Sequence, residues 1–222
     1  MTESNNVAFR HVIPLGCHPL TANTLKDVMF SNKDLPFDTL VITPDQIVEI
    51  LKDDFVDFLN KDLYIDEGKD NVCGHVKYGA EFFTRKNPIT QDGYDYYVKT
   101  VENWRELMLS PHPKLFVTMW KEDDTFPKQN IFFSLPQIGK YTTNDWYLFI
   151  GIHTTEEDKK PMVDRFKNIT IVMYNTKAST DGIRFNKSDE HLHLANLICR
   201  THKLVIDEIE KVMKELDESI KK

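Results

Sequence analysis

Cys17 is the residue of this sequence that is best placed to act as a nucleophile. It lies in residues 15–19, between a short apolar run and an amphipathic stretch, where the pattern predicts a strand that turns into a helix. A thiol near a helix N-terminus can have a lowered pKa, and α/β folds place ligand sites at the carboxyl ends of strands. The segment is therefore a candidate site for thiolate chemistry.

A cysteine hydrolase also needs an imidazole that takes the thiol proton and a third group that orients the imidazole. His18 is a poor partner, because neighbouring side chains of an extended segment point apart. His153, at the end of a predicted strand, is the best-placed base, and His75 is an alternative. Asp38 can orient the imidazole or brace its own loop. Cys17 can equally be a small buried apolar residue, as most cysteines are.

The other chemical groups do not form a metal or cofactor site. His191 and His193 stand two residues apart, whereas a helical metal pair needs a spacing of three or four. The acidic residues Asp53, Asp54 and Asp57 are typical of the solvated side of a helix. Neither GxGxxG nor GxxxxGK[ST] occurs, so no nucleotide-binding fingerprint is present. We therefore expect no metal and no cofactor.

The composition is that of a folded, acidic protein. The 222 residues are 41% hydrophobic and 28% charged, which excludes wholesale disorder and low complexity. Acidic residues outnumber basic ones by 35 to 28, which disfavours nucleic acid and anionic membranes as partners. Three distant cysteines indicate reduced thiols. No apolar run approaches the ~20 residues that cross a bilayer, and we expect a soluble, cytoplasmic protein.

Apolar runs and helix signals alternate along the chain, which favours an α/β fold. Residues 43–46 have the features of a capping box and predict a helix start, and residues 94–109 predict another helix. Three runs without strict alternation are typical of strands covered on both faces: residues 114–120, 146–153 and 169–174. We predict a single α/β domain over residues 1–222, with a layered, mostly parallel sheet flanked by helices.

The C-terminal segment, residues 188–222, contains no Pro or Gly, and we predict a long helix over about 189–218. Its apolar residues alternate steps of three and four, like the seam of a coiled coil. Such a helix can pack on its own sheet or contact another chain, and the spacing leaves both alternatives open. We assign protein binding or self-association to this seam, which begins at Ala195 and continues through Ile198, His202, Val205, Ile209, Val212 and Leu216.

Four motifs occur in order in the first part of the sequence. They are Leu15-Gly16, A-x-x-L-K at residues 22–26, P-F-D at residues 36–38 and D-D-F-x-x-F-L at residues 53–59. Together they resemble the papain-like cysteine peptidase family of bacteria and large DNA viruses, whose pattern reads S-L-G-x-x-C-x-x-A-x-x-L-K followed by P-F-D-W. The resemblance implies a cysteine nucleophile just before the first helix. The second half of the chain matches only in the order of its elements.

The sequence departs from the family at the residues that carry its chemistry. The family's cysteine position is occupied by Pro19, which has no nucleophile, and Cys17 stands two residues earlier. Family members often have a histidine before the helix that precedes the strand at residues 115–117, where residues 82–88 contain none, and Thr39 replaces the tryptophan. The fold signals are therefore kept while the reactive groups are replaced.

These departures predict a non-catalytic member of the family that acts as a protein-binding or structural module. The viral members of the family imply a virion or host-interaction role as one version of this prediction. The alternative is a thiol-dependent hydrolase with Cys17 as nucleophile, His153 as base and Asp38 as the orienting group. Neither function requires a metal or a cofactor.

Overall fold

Four apolar runs of the sequence lie side by side as parallel strands. The computed structural model describes residues 7–16, 18–121, 132–142, 145–154, 161–176, 180, 183–187 and 189–206. In chain order the elements are β1 Ala8–Phe9, β2 His11–Pro14, α1 Leu20–Asp27, α2 Pro44–Lys52, β3 Tyr64–Lys69, β4 Val72–His75, β5 Gly79–Phe83, α3 Gln91–Leu109, β6 Lys114–Lys121, β7 Trp146–Thr154, β8 Met162–Phe166, β9 Ile169–Asn175, α4 Asp189–Thr201 and β10 Lys203–Leu204.

The central sheet has the strand order β2-β6-β7-β9-β8. The first four strands are parallel, and β8 is antiparallel to β9. The prediction of an α/β fold with a mostly parallel sheet is thus confirmed, and the three unalternating apolar runs are β6, β7 and β9. A smaller antiparallel sheet contains β3, β4 and β5, and β1 pairs with β10.

Helices cover both faces of the central sheet. On one face, α2 and α3 pack against a core that includes Ile13, Phe116 and Ile150. On the other face, α1 and α4 pack against Val117 and Phe149. Since successive side chains of a strand point to opposite faces, a strand covered on both sides has apolar residues in succession. This explains why the runs in β6 and β7 lack alternation.

The helix starts are set by local capping. Thr43 accepts a hydrogen bond from the Gln46 N–H, and the Gln46 side chain accepts one from the Thr43 N–H, as the predicted capping box requires. The apolar spacing predicts a helix that continues to Leu59, but α2 ends at Lys52. The chain turns there because Asp54 and Phe55 adopt left-handed φ angles of 52° and 64°.

The prediction of a long C-terminal helix over about 189–218 is wrong, because α4 ends at Thr201. The backbone of Lys203–Leu204 pairs with β1, and the Val205 N–H donates to the Phe9 carbonyl at 2.8 Å. In a longer helix the backbone groups of these residues would bond within the helix. Here they bond to β1 instead. The hydroxyl of Thr201 also donates to the Leu197 carbonyl, a contact that competes with the helical pattern.

The predicted seam is described only in its first half. Ile198 and His202 are buried against the chain's own sheet, and Val205 is half-buried. This arrangement corresponds to the intramolecular alternative. Ser188, which directly precedes the predicted helix, and the seam residues Ile209, Val212 and Leu216 lie outside the described residues.

A threonine side chain at the start of α1 bonds β6 at the point where the neighbouring strand β2 has ended. β2 ends at Pro14, whereas β6 continues to Lys121, so the later amides of β6 lose their neighbour on that side. The Leu15 N–H donates to the Val117 carbonyl at 2.7 Å, and the Met119 N–H donates to the Thr21 hydroxyl at 3.2 Å. Thr21 therefore anchors α1 to β6.

We predict that Thr21→Val lowers the free energy of unfolding by about 1–3 kcal/mol, because it leaves the buried Met119 N–H without its acceptor. Thr24→Val is the matched control: Thr24 is a buried threonine of the same helix, and its hydroxyl has no hydrogen-bond partner in the described structure. Urea unfolding followed by circular dichroism measures both. Equal stability of the two variants would contradict the anchoring role of Thr21.

Candidate functional site

Of the predicted catalytic residues, His153 lies near the carboxyl ends of the parallel strands. Gly16 follows β2, His153 is the penultimate residue of β7, and Asn175 ends β9. Ligands of α/β proteins bind at this edge, in the crevice where the strand order reverses. Here β2, β6, β7 and β9 are arranged in chain order, so the parallel part of the sheet has no such reversal. The topology alone does not open a crevice at this edge.

His153 is enclosed by aromatic rings. Its side chain is 1% exposed, and its ring centroid lies 5.5 Å from that of Phe185 and 6.3 Å from that of Tyr174. Burial also raises the pKa of the Tyr174 hydroxyl. A general base must reach the proton that it removes from a substrate or nucleophile. The enclosure of His153 is therefore more typical of a core histidine than of a base in an open cleft.

Asp38 braces the loop that contains it. Its Oδ2 atom lies 2.7 Å from Lys26 Nζ and accepts the Leu35 N–H at 3.1 Å. Burial raises the pKa of Asp38 to about 6, and the nearby Lys26 opposes this increase. Lys26 also pairs with Asp34, at 2.5 Å. These contacts agree with the loop-bracing interpretation of Asp38.

The described contacts do not join the members of the predicted triad. Asp38 bonds Lys26 and the Leu35 amide, whereas the ring of His153 packs between two aromatic side chains. Cys17 lies outside the described residues. The catalytic assignment of Cys17, His153 and Asp38 therefore stays a prediction.

His75, the alternative base, belongs to the smaller sheet. Its Nδ1 accepts the Lys77 N–H at 3.1 Å, so its Nε2–H donates to the Asp57 carbonyl at 3.0 Å. Its ring stacks on that of Tyr78 with centroids 4.3 Å apart. Burial lowers the pKa of His75, which keeps the imidazole neutral. Both ring nitrogens thus take part in contacts that hold β4 and the residues after it.

Pro19, which aligns with the nucleophile of the family that the sequence resembles, is the N-cap residue of α1. Its φ of −58° and ψ of −17° are helical, and its carbonyl accepts the Asn23 N–H at 3.0 Å. Proline suits a helix start because its ring presets φ and its missing N–H would lack a helical partner. The position therefore contributes to the helix start and presents no nucleophilic atom.

The histidines of α4 have separate surroundings. His191 is buried with its Nδ1 atom 3.2 Å from Asp27 Oδ2, and Arg184 lies 2.6 Å from the same oxygen. His193 is exposed, and its ring lies 5.5 Å from that of Tyr174. Within the described ranges, no group of three His, Cys, Asp or Glu residues is placed to hold a metal ion.

The opposite edge of the sheet carries a cluster that the sequence pattern did not identify. His11 begins β2 and Lys114 begins β6, and the register places them side by side. His11 Nε2 lies 2.7 Å from the hydroxyl of Ser110, the C-cap residue of α3. Buried Lys114 donates to the carbonyls of Ser110 and His112 at 2.8 and 3.3 Å. The only sequence signal was Ser110-Pro111-His112-Pro113-Lys114 itself, because His11 is distant along the chain.

His202 is a second buried titratable group, and its effect on stability changes with pH in the direction opposite to that of Asp38. His202 contacts Thr170 and Thr201 through its two ring nitrogens and packs against Phe9 and Phe149. Burial, with a smaller contribution from Arg165, lowers the pKa of His202 from 6.5 to about 4. Protonation of Asp38 in the folded state and of His202 in the unfolded state therefore occurs over the same pH range.

We predict opposite pH slopes for Asp38→Asn and His202→Gln. Asp38 has a pKa of about 6 folded and 3.8 ordinarily, so its contribution to stability is present below pH 3.8 and lost as the pH rises through 6. The contribution of His202 is present above pH 6.5 and lost as the pH falls through about 4. Each contribution amounts to about 3 kcal/mol.

Urea unfolding between pH 4 and 7 checks this prediction. The free energy of unfolding of Asp38→Asn should rise with pH more steeply than that of the natural chain, and that of His202→Gln should fall relative to it. Because either substitution also changes packing, the comparison uses the slope of the unfolding free energy with pH and not its absolute value. Parallel curves for the three proteins would show that these groups do not titrate as described.

No helix of the described chain is long and apolar enough to cross a membrane. Comparison of the whole chain with protein-family models, with curated proteins and with solved structures finds no match. The resemblance to papain-like cysteine peptidases therefore rests on the four sequence motifs alone.

Proposed function

We propose that this protein is a non-catalytic α/β module that binds a protein partner through the free edge of its central sheet. Three observations support the absence of thiol catalysis. Pro19 stands where the resembled family has its nucleophile. His153 is enclosed by aromatic rings, and Asp38 is engaged by Lys26. The proposed location is the cytoplasm, or a virion if the viral version of the resemblance holds.

The observation that carries the binding proposal is the exposure of β8. All five residues of this edge strand are exposed, and three of them are apolar: Met162 at 44%, Val163 at 51% and Phe166 at 67%. An edge strand presents unpaired backbone groups to solvent, and apolar side chains beside them favour association. Within the described chain no other strand pairs with the outer side of β8.

The hairpin geometry identifies which backbone groups face outward. Lys167 and Asn168 form a two-residue turn, and Phe166 pairs with Ile169 across it. Because hydrogen-bonded and non-hydrogen-bonded pairs alternate in an antiparallel ladder, residues 162, 164 and 166 bond to β9. The N–H and C=O groups of Val163 and Arg165 therefore face the free edge.

A free edge of this kind accepts an extended segment of a partner. Main-chain hydrogen bonds to Val163 and Arg165 supply affinity, and side chains at alternate positions supply specificity. Asp164 and Arg165 give the strand one negative and one positive charge, which opposes nonspecific aggregation. The predicted C-terminal seam is less suited to this role in its described part, because Ile198 and His202 are buried in the chain's own core.

We predict that Val163→Pro weakens partner binding at least tenfold, since proline removes an outward N–H without removing a bond to β9. Val163→Thr keeps the N–H and the β-branched shape and serves as the matched control. The probes are fluorescently labelled peptides selected against the full chain from a random twelve-residue display library. Binding is measured by fluorescence anisotropy.

Amide hydrogen exchange on the full chain gives the second readout. The Val163 and Arg165 amides should exchange faster than those of residues 162, 164 and 166, and bound peptide should protect them. Selected peptides that bind Val163→Pro as tightly as the natural chain, or that protect other amides, would place the binding surface elsewhere. Dimerisation through β8 would appear as concentration-dependent sedimentation and would replace the peptide-binding proposal.

The thiol-dependent hydrolase with Cys17, His153 and Asp38 is the alternative, and we expect it to fail a labelling test. An electrophilic cysteine-peptidase probe should not label the native chain at Cys17 under conditions that label papain. Cys199→Ala is the background for this test, because Cys199 is exposed. Burial raises the pKa of Cys73 to about 11, which makes its thiol unreactive. Labelling that disappears with Cys17→Ala would overturn the non-catalytic proposal.

A further inference from the structure

We propose that the partner segment at the β8 edge has a lysine or arginine opposite Asp164, between two apolar residues that contact Met162 and Phe166. The partner is an extended segment of another protein, with the pattern apolar-x-basic-x-apolar. This inference rests on the proposed function, because it names the chemistry of a partner at the same edge. Charge reversal at Asp164 separates a failure of the pattern from a failure of the edge.

Asp164 lies between two exposed apolar side chains on one face of the central sheet. Alternate residues of a strand point to the same face, so Met162, Asp164 and Phe166 share a face of β8. Directly paired residues also share a face, and Asp164 pairs with Ile171 of β9. Phe166 pairs with Ile169. Both isoleucines are half-buried against the core that α2 and α3 cover. This part of the face is therefore an apolar surface with one carboxylate in its middle.

The carboxylate of Asp164 is available to a partner. The residue is exposed, and within the described ranges no hydrogen bond or ion pair involves its side chain. The two neighbouring basic residues have other contacts. Arg165 belongs to the opposite face, where its Nη2 donates to the Thr201 carbonyl at 3.3 Å. The Nζ of Lys167 lies 5.7 Å from the centroid of the Phe166 ring.

A partner that covers Met162 and Phe166 also covers Asp164, because Asp164 lies between them on the same face. Removal of a carboxylate from water costs free energy when no partner compensates its charge. A cation placed opposite it compensates the charge, and a second carboxylate is repelled. The apolar side chains therefore favour binding, and Asp164 selects which segment binds.

The ladder geometry fixes the position of the basic residue. An antiparallel partner that bonds the outward groups of Val163 and Arg165 forms a non-hydrogen-bonded pair with Asp164, in which opposite side chains are closest. The partner residues two positions away on either side then lie opposite Met162 and Phe166. The pattern apolar-x-basic-x-apolar reads the same in both directions, so a parallel partner satisfies it as well.

A second copy of this chain does not fit the edge in full register. Two antiparallel β8 strands that pair Val163 with Arg165 would place the Asp164 carboxylates of the two copies opposite each other. Like charges directly opposite each other destabilise a strand pair. The partner is therefore a different protein chain.

The test is a set of selections from a random twelve-residue display library against the full chain. Peptides selected against the natural chain should have Lys or Arg between apolar residues two positions to either side, and those selected against Asp164→Lys should have Asp or Glu there. Asp70→Lys is the matched control, because Asp70 is exposed in the turn between β3 and β4 and its replacement changes the net charge equally. This variant should select the same pattern as the natural chain.

Synthetic fluorescein-labelled copies of the selected peptides measure the charge coupling by fluorescence anisotropy. A basic peptide should bind Asp164→Lys at least tenfold more weakly than the natural chain, and it should bind Asp70→Lys like the natural chain. Replacement of its basic residue by Glu should reverse the order of the natural chain and Asp164→Lys. Asp164→Asn removes the charge and keeps the shape, so it should bind the two peptides with similar affinity. Circular dichroism checks that each variant is folded.

Amide hydrogen exchange distinguishes the possible failures. Peptides that protect the Val163 and Arg165 amides but bind the natural chain and Asp164→Lys equally would overturn this inference and leave the edge as a binding surface. A library that yields no peptide bound to β8 would overturn the proposed function and this inference together. Concentration-dependent sedimentation that disappears with Val163→Pro would show that a second copy occupies the edge, and would also overturn the inference.

Discussion

The parallel backbone ladder through β6 is the constraint on which the rest of the structure depends. β6 pairs with β2 on one side and with β7 on the other, and its side chains enter both cores. A strand buried on both faces has no water to satisfy its amides, so every neighbour must supply backbone partners. Where β2 ends, the Leu15 amide and the Thr21 hydroxyl continue this supply and position the first helix.

Buried polar groups mark the borders of this ladder. Lys114 begins β6, and Asp38 lies in the loop that α1 holds through Lys26. His202 ends the last helix turn against β9 through Thr170. Each group is costly to bury, and each is compensated by backbone or side-chain contacts. At the carboxyl ends of the strands His153 packs against Phe185, whereas at the opposite edge His11 bonds Ser110 and lines a cavity of about 160 Å³.

Local signals in the sequence were sufficient where the cause is local. The capping box at Thr43 and the end of α3 before Ser110 follow from short-range hydrogen bonds and proline chemistry, and both were predictable. The fold class was also predictable, because strands buried on both faces leave unalternating apolar runs. The extent of α4 was not, since its end depends on pairing of Lys203–Leu204 with β1, near the other end of the chain.

The sequence by itself determined the apolar runs, the caps and the proline at the start of the first helix, because these depend on residue type and near neighbours. Only the tertiary structure decided which polar side chains meet. It brought His11 to Ser110 across 99 positions of the chain, and it left Asp38 with Lys26 and His153 among aromatic rings. Such contacts depend on strand register and helix packing, which no local pattern encodes.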